Sequence, residues 1–175
     1  MKYKLIPFNK NDKSLHFTAN IEIINNFVVK IKYEMKGNIA DVIIPEISNN
    51  PKRLDNLWEQ TCFELFIGEK DKKNYYEVNL SPSKDWNVFT FEDYRIGKNE
   101  EKSVKQVNII VEKANKIFKL STSVDFSKLL KSNELVLGIS AMIFKKSNKK
   151  EYWAIKHSGS KPDFHLKQNY ETIII

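Results

Sequence analysis

Glu64, Glu77 and Asn79 lie in two short runs that alternate between apolar and polar residues. In residues 62–67, Phe63, Leu65 and Ile67 share one side, and Cys62, Glu64 and Phe66 the other. In residues 75–81, Tyr76, Val78 and Leu80 share a side, and Tyr75, Glu77, Asn79 and Ser81 the opposite one. Strict alternation marks a strand with one face in a core. If the two strands are neighbours, both carboxylates and the amide project from one face, among aromatic rings. Carboxylates and amides exchange hydrogen bonds with hydroxyl groups, and flat rings cover C–H faces. The mixture suits a small polar ligand, with a sugar the best match. Trp58 and Trp86, near the ends of the two segments, are the candidate ring platforms. Arg53 and Asp55 flank the loop before the first run. His157, at a strand end, and His165, after Pro162-Asp163-Phe164, complete the candidate rim.

Other chemistries have less to work with. Paired carboxylates also serve glycoside hydrolysis, where their separation sets the stereochemical outcome. Cys62 would need His157 or His165 as a partner base to act as a nucleophile. Haem would need an axial histidine, with Met35 or Met142 as a second ligand, and neither sits in a recognisable spacing. His157, Asp163 and His165 form no tight metal-ligand pattern. No glycine-rich phosphate loop and no G-x-S-x-G elbow occurs. The expectation is therefore a non-catalytic binding module without cofactor or metal. Two rival expectations remain. One is an enzyme using Glu64 and Glu77, or Cys62 with a histidine. The other is a structural or interaction protein with no small ligand, whose carboxylates tie loops to the sheet through Arg53, Lys84 or Lys156 and whose sheet edge meets a partner.

The elements that must hold these residues read as strands. Candidates lie at 4–8, stopped by Pro7, then at 21–24, 27–35 and 40–44, the last ending before Pro45. Asn25-Asn26 is a hairpin signal between the second and third. The two featured strands follow a loop over 46–57. Residues 85–91, 107–111, 117–124, 135–144, 152–157 and 172–175 complete the set. One short helical turn is expected at 125–130, with Asp125 as its cap. About ten short strands and little helix predict an all-β fold, an antiparallel β-sandwich of two sheets, immunoglobulin-like or jelly-roll-like.

At 175 residues the chain fits a single domain over 1–175. Its 41% hydrophobic and 29% charged content is that of a globular protein. No apolar run approaches the roughly 20 residues that span a bilayer, and no signal-peptide core follows Met1, so no membrane partner and a cytoplasmic location are expected. Cys62 is the single cysteine, so no internal disulfide can form. The net charge of +7 does not imply nucleic acid: only Arg53 and Arg95 are arginine, and the lysines are spread along the chain.

Several segments together resemble a known family. They are Leu57-Trp58-Glu59-Gln60-Thr61-Cys62-Phe63-Glu64; Tyr76-Glu77-Val78-Asn79-Leu80-Ser81-Pro82-Ser83-Lys84-Asp85-Trp86; Leu137-Gly138-Ile139-Ser140-Ala141; and Tyr152-Trp153-Ala154-Ile155-Lys156-His157 with Pro162-Asp163-Phe164-His165. In order and spacing they resemble the DOMON-like ligand-binding domains, which are similar to type 9 carbohydrate-binding modules. The resemblance spans about residues 50–166. It implies a sandwich of two antiparallel sheets that holds a ligand on one concave face, where members of the wider group bind sugars or haem.

Overall fold

In the computed structural model, which describes residues 1–24 and 27–175, the chain forms twelve β-strands. They are β1 (Lys2–Pro7), β2 (Leu15–Ile24), β3 (Val28–Gly37), β4 (Cys62–Glu69), β5 (Tyr75–Leu80), β6 (Trp86–Phe91), β7 (Asn99–Glu100), β8 (Ile110–Ala114), β9 (Ile117–Asp125), β10 (Glu134–Phe144), β11 (Lys150–Ala154) and β12 (Glu171–Ile174). Short 3-10 turns occur at Ile39–Asp41, Leu57–Glu59 and Lys167–Asn169. The helical turn expected at 125–130 is one tight turn. Asp125 Oδ1 accepts from the Ser127 N–H at 2.8 Å, and the Phe126 carbonyl accepts from Leu129 and Leu130. The expected strand at 40–44 is instead a 3-10 turn and one bridge between Val42 and Lys145. The Asn25-Asn26 turn lies outside the described residues.

All ladders between these strands are antiparallel, in the order β7-β6-β5-β4-β10-β11-β1-β2-β3-β9-β8, with β12 also on β10. The hydrogen bonding does not divide into the two expected sheets, and β1 is the reason. Lys2 to Leu5 pair with β2, while Ile6 and Pro7 pair with β11. Pro7 was expected to stop an edge strand. It lacks an N–H, yet the ladder continues beside it, where Phe8 N–H donates to the Tyr152 carbonyl at 2.8 Å. β1 is thus an interior seam, and a single sheet curls until its two ends face each other.

The main core fills the space between those ends. Tyr33 of β3 lies 5.1 Å from Phe63 of β4, ring centre to ring centre. Phe63 stacks on Phe118 of β9 at 5.6 Å, and Phe17 of β2 meets Trp153 of β11 at 5.4 Å. Phe63, Leu65, Ile67, Tyr76, Val78 and Leu80 all enter this core, as their alternation predicts. Burying each large apolar side chain contributes about 1.5–3 kcal/mol. The terminal isoleucines alternate too: Ile173 is buried opposite Leu135, and Ile174 faces outward.

β10 organises the other side of the curl. One edge pairs with β4 from Leu135 to Met142. Its other edge is shared, with β12 on Glu134 to Leu137 and β11 on Ser140 to Phe144. Gly138 sits where those two strands part, and Tyr170 packs there. A Cβ at Gly138 would fall 2.4 Å from the tyrosine ring. Among the described residues, no helix is long and apolar enough to cross a membrane.

Candidate functional site

The second face of β4 and β5 turns away from the main core. The strands are neighbours, with Glu64 opposite Asn79 and Phe66 opposite Glu77. β10 sets Ser140 beside Glu64, and β6 sets Phe89 beside Glu77. Glu64 and Glu77 are therefore diagonal neighbours on one face, about 7–8 Å apart along the backbone. A second apolar cluster grows over this face from Phe66, Tyr75, Phe89 and Phe91, with Trp58, Phe164 and Tyr170 packed against it. The cover leaves Glu64 3% and Glu77 5% exposed.

Within the cover is a pocket of about 400 Å³, lined by both glutamates and by Trp58, Phe66, Phe91, Tyr152, Phe164 and His165, among others. Each carboxyl is held by a neutral donor. Ser140 Oγ donates to Glu64 Oε2 at 2.9 Å, and Asn79 Nδ2 donates to Glu77 Oε1 at 2.8 Å. Burial, and then the Glu77 charge, push the Glu64 carboxyl up to about 8. Burial raises Glu77 as well, opposed by the Asn79 hydrogen bond and by the charges of Lys98 and Arg95. Two close, buried carboxyl groups share protons, and near neutral pH Glu64 holds one. His165 is pushed down to about 4, by burial first and by Arg95 second, and stays neutral. Its Nδ1 is 2.8 Å from the Tyr75 hydroxyl, and its Nε2 is 3.8 Å from Glu77 Oε2. Burial pushes Tyr75 up to about 12, so it keeps its proton and can donate to Nδ1.

The rim is polar. Arg95 occupies the turn of a small hairpin closed by the Asp93 to Ile96 bridge, at φ 55°. That left-handed backbone is uncommon for arginine. The turn aims its guanidinium at Asp163, 2.9 Å away, and Tyr94 also donates to Asp163. Lys98 lies over the Trp58 ring at 4.5 Å and the Phe89 ring at 4.0 Å, and it pairs with Asp55 at 3.0 Å.

Of the residues singled out in the sequence, Trp58, Glu64, Glu77 and His165 line the pocket. Asn79 is fully buried beneath it and holds Glu77. Asp55 reaches the rim through Lys98. Three expectations need correction. Trp86 sits opposite Leu80 on the core face of β6, 6% exposed, and offers no ring to the pocket. Arg53 stacks over Trp86 at 4.3 Å and donates to Asn87 Oδ1 and to the Val88, Glu101 and Val104 carbonyls, so it braces the sheet. His157 lies 3.1 Å from the Ile6 carbonyl and edge-on to Phe8, tying its loop to β1. The expected ion-paired ties fail too: among the described residues Glu64 and Glu77 form no salt bridge with Arg53, Lys84 or Lys156. Cys62 is buried, its thiol raised by burial, with Phe63 O and Asn79 Oδ1 as contacts and no histidine beside it. Arg95, Lys98, Tyr152 and Phe164 were not singled out as site residues. Arg95 had one signal, as one of two arginines, in the turn-forming Tyr94-Arg95-Ile96-Gly97.

A curled antiparallel sheet with a ligand-sized pocket on its outer face is the class of protein defined here. It is similar to a structure from Bacteroides uniformis provisionally described as a carbohydrate-binding protein, with TM-score 0.69 and 11% identity over 98% of this chain and 86% of that one. It is also similar to a family 9 carbohydrate-binding module from Caldicellulosiruptor kristjanssonii in complex with glucose, with TM-score 0.54 and 9% identity over 93% of this chain and 77% of that one. At such identities the likeness is one of fold. No family model matches the chain, and no curated protein matches it.

Proposed function

We propose that the protein binds a small carbohydrate in the Glu64–Glu77 pocket and releases it unchanged. The observation that carries this is the placing of two buried carboxyl groups beside the rings of Trp58, Phe91, Tyr152 and Phe164 in one pocket of about 400 Å³. Such a volume falls within the range of small-molecule sites, about 300–1,000 Å³. The carboxyl groups would take sugar hydroxyls and the rings would cover C–H faces. Two structures of similar fold support it, one described as carbohydrate-binding and one holding glucose. On the same proposal, residues 1–175 are one DOMON-like domain akin to type 9 carbohydrate-binding modules, its facing halves a sandwich joined through β1. It works in the cytoplasm, with neither nucleic acid nor membrane as partner.

Titration calorimetry against a panel of mono- and disaccharides tests this. Saturable binding is expected, with Trp58→Ala weakening it about tenfold or more, as the loss of one ring contact would. No saturable binding by any sugar would return the pocket to a structural role. One observation favours a second reading, glycoside hydrolysis: two carboxyl groups lie diagonally in one pocket, and burial and the neighbouring Glu77 raise Glu64 toward the role of an acid. Release of reducing sugar from aryl glycosides, lost in Glu64→Gln, would favour it over simple binding.

A further inference from the structure

The carboxyl groups at the pocket floor meet only neutral donors. Glu64 has Ser140 Oγ, and Glu77 has Asn79 Nδ2. Among the described residues, no lysine or arginine forms a salt bridge with either, and His165, 3.8 Å from Glu77, is neutral. Glu64 Oε1 and Glu77 Oε2 have no hydrogen-bond partner among the described residues. Both side chains are more than nine-tenths buried, and both border the pocket. The two cations of the rim are already matched, Arg95 with Asp163 and Lys98 with Asp55. The uncompensated charge of the pocket is therefore negative and lies at its floor. The rings of Trp58, Phe91 and Phe164 surround that floor, and ring faces attract cations as readily as they cover C–H bonds.

We propose that the ligand is an amino sugar, a carbohydrate with a free protonated amine, whose ammonium group sits between Glu64 Oε1 and Glu77 Oε2. The proposal rests on the carbohydrate reading above and names the ligand class within it. An ammonium group brings three donors and no acceptor, which suits two open carboxylate oxygens. A neutral sugar brings hydroxyl donors but leaves a buried negative charge unmatched, the costly arrangement in a dry site. Attraction to a cation favours ionising both carboxyl groups, so the shared proton leaves when the amine arrives. The titratable groups facing Glu64 are Glu77 on β5, Cys62 on β4, Tyr33 on β3, whose hydroxyl donates to the Glu64 carbonyl, Arg95 across the mouth and Tyr170 against β10. Glu77 faces Lys98, Arg95 and Asp55 from the rim, Tyr75 and Cys62 on β5 and β4, Tyr170, and His165 from the loop after β11. Cys62, Tyr33, Tyr75 and Tyr170 are held protonated by burial and the rim cations are paired, which leaves the glutamate proton as the one to be displaced.

Calorimetry on the full chain at about pH 6, where the amine is charged, tests this with glucosamine, N-acetylglucosamine and glucose, then with galactosamine and mannosamine. Each titration is run in two buffers of different ionisation enthalpy. An amine is expected to bind about tenfold or more tighter than its acetylated or hydroxyl counterpart, as a charge-assisted hydrogen bond would confer. The amine should release up to about one proton per site, and the neutral sugars none. The isosteric Glu64→Gln/Glu77→Gln double variant should keep its thermal transition and lose both the preference and the proton release. Neutral sugars that bind as tightly as the amines, without proton release, would overturn the amino-sugar assignment and leave carbohydrate binding standing. Failure of every sugar to bind would overturn both.

Discussion

Glu64 holds its proton because water is kept from it and because Glu77 lies diagonally across the strand pair. The consequence for stability has a definite sign. In the unfolded chain such a carboxyl titrates near 4.5, and in the fold it is pushed up to about 8. The fold favours the protonated form, so this stabilisation is complete below about 4.5 and is lost as pH rises toward about 8. Glu64→Gln keeps the protonated shape at every pH. Wild-type Tm should therefore fall relative to the variant between about pH 5 and pH 8, by about 2–4 °C for each kcal/mol lost. Parallel curves for the two proteins would place Glu64 in water. His165 acts in the opposite sense, losing stability as pH falls from about 6.5 toward about 4, which is why the comparison with the glutamine variant is needed. Arg53 offers a separate test. Its guanidinium serves one side-chain and three backbone acceptors and covers Trp86. Arg53→Met should cost about 2–4 kcal/mol in urea unfolding, since buried acceptors are left without donors, while sugar binding persists. A loss of binding with unchanged stability would make Arg53 a ligand contact after all.

At the scale of elements, the junction on β10 is the most exacting place in the fold. Gly138 is there because the Tyr170 ring occupies the space of a side chain. Gly138→Ala should destabilise by about 1–3 kcal/mol, the usual cost of overpacking, and should weaken ligand binding by shifting the ring that packs beside Phe66 at 5.8 Å. Unchanged unfolding and binding would mean that Tyr170 is free to move. Alternation in residues 62–67 and 75–81 separates an apolar face from a polar one in each strand, which puts Glu64, Glu77 and Asn79 on one face once β4 and β5 pair. Residues 85–91 carry rings on both faces, so their alternation does not mark the core side. Trp86 follows the turn at Ser81 to Asp85, where Lys84 takes φ 75°, and residue types do not fix which face β6 shows first. β7 has two residues, too few for any period to register. The double allegiance of β1 depends on β11, nearly the whole chain away in sequence. Arg95 and Lys98 reach the rim through a hairpin beyond β6, so only tertiary structure brings them to the glutamates.

For the molecule as a whole, one continuous sheet closes through partners far apart in sequence: β1 with β11, β3 with β9, β4 with β10. Loops of such length must close before the contacts they bring can stabilise anything. Refolding from urea should therefore take milliseconds to seconds, in the range of other non-local β folds. Microsecond refolding in stopped or continuous flow would contradict an all-or-none closure of the curl. The same closure turns Cys62 into a timekeeper. This one thiol is buried on the pocket side of β4, its Sγ 3.8 Å from the oxygen of the Asn79 amide whose nitrogen donates to Glu77. A thiol reagent in solvent can reach it only when the structure around β4 opens, so the labelling rate counts those openings. A ligand seated on the other side of Asn79 would slow that clock, and occupancy of the pocket could be followed without any label on the sugar.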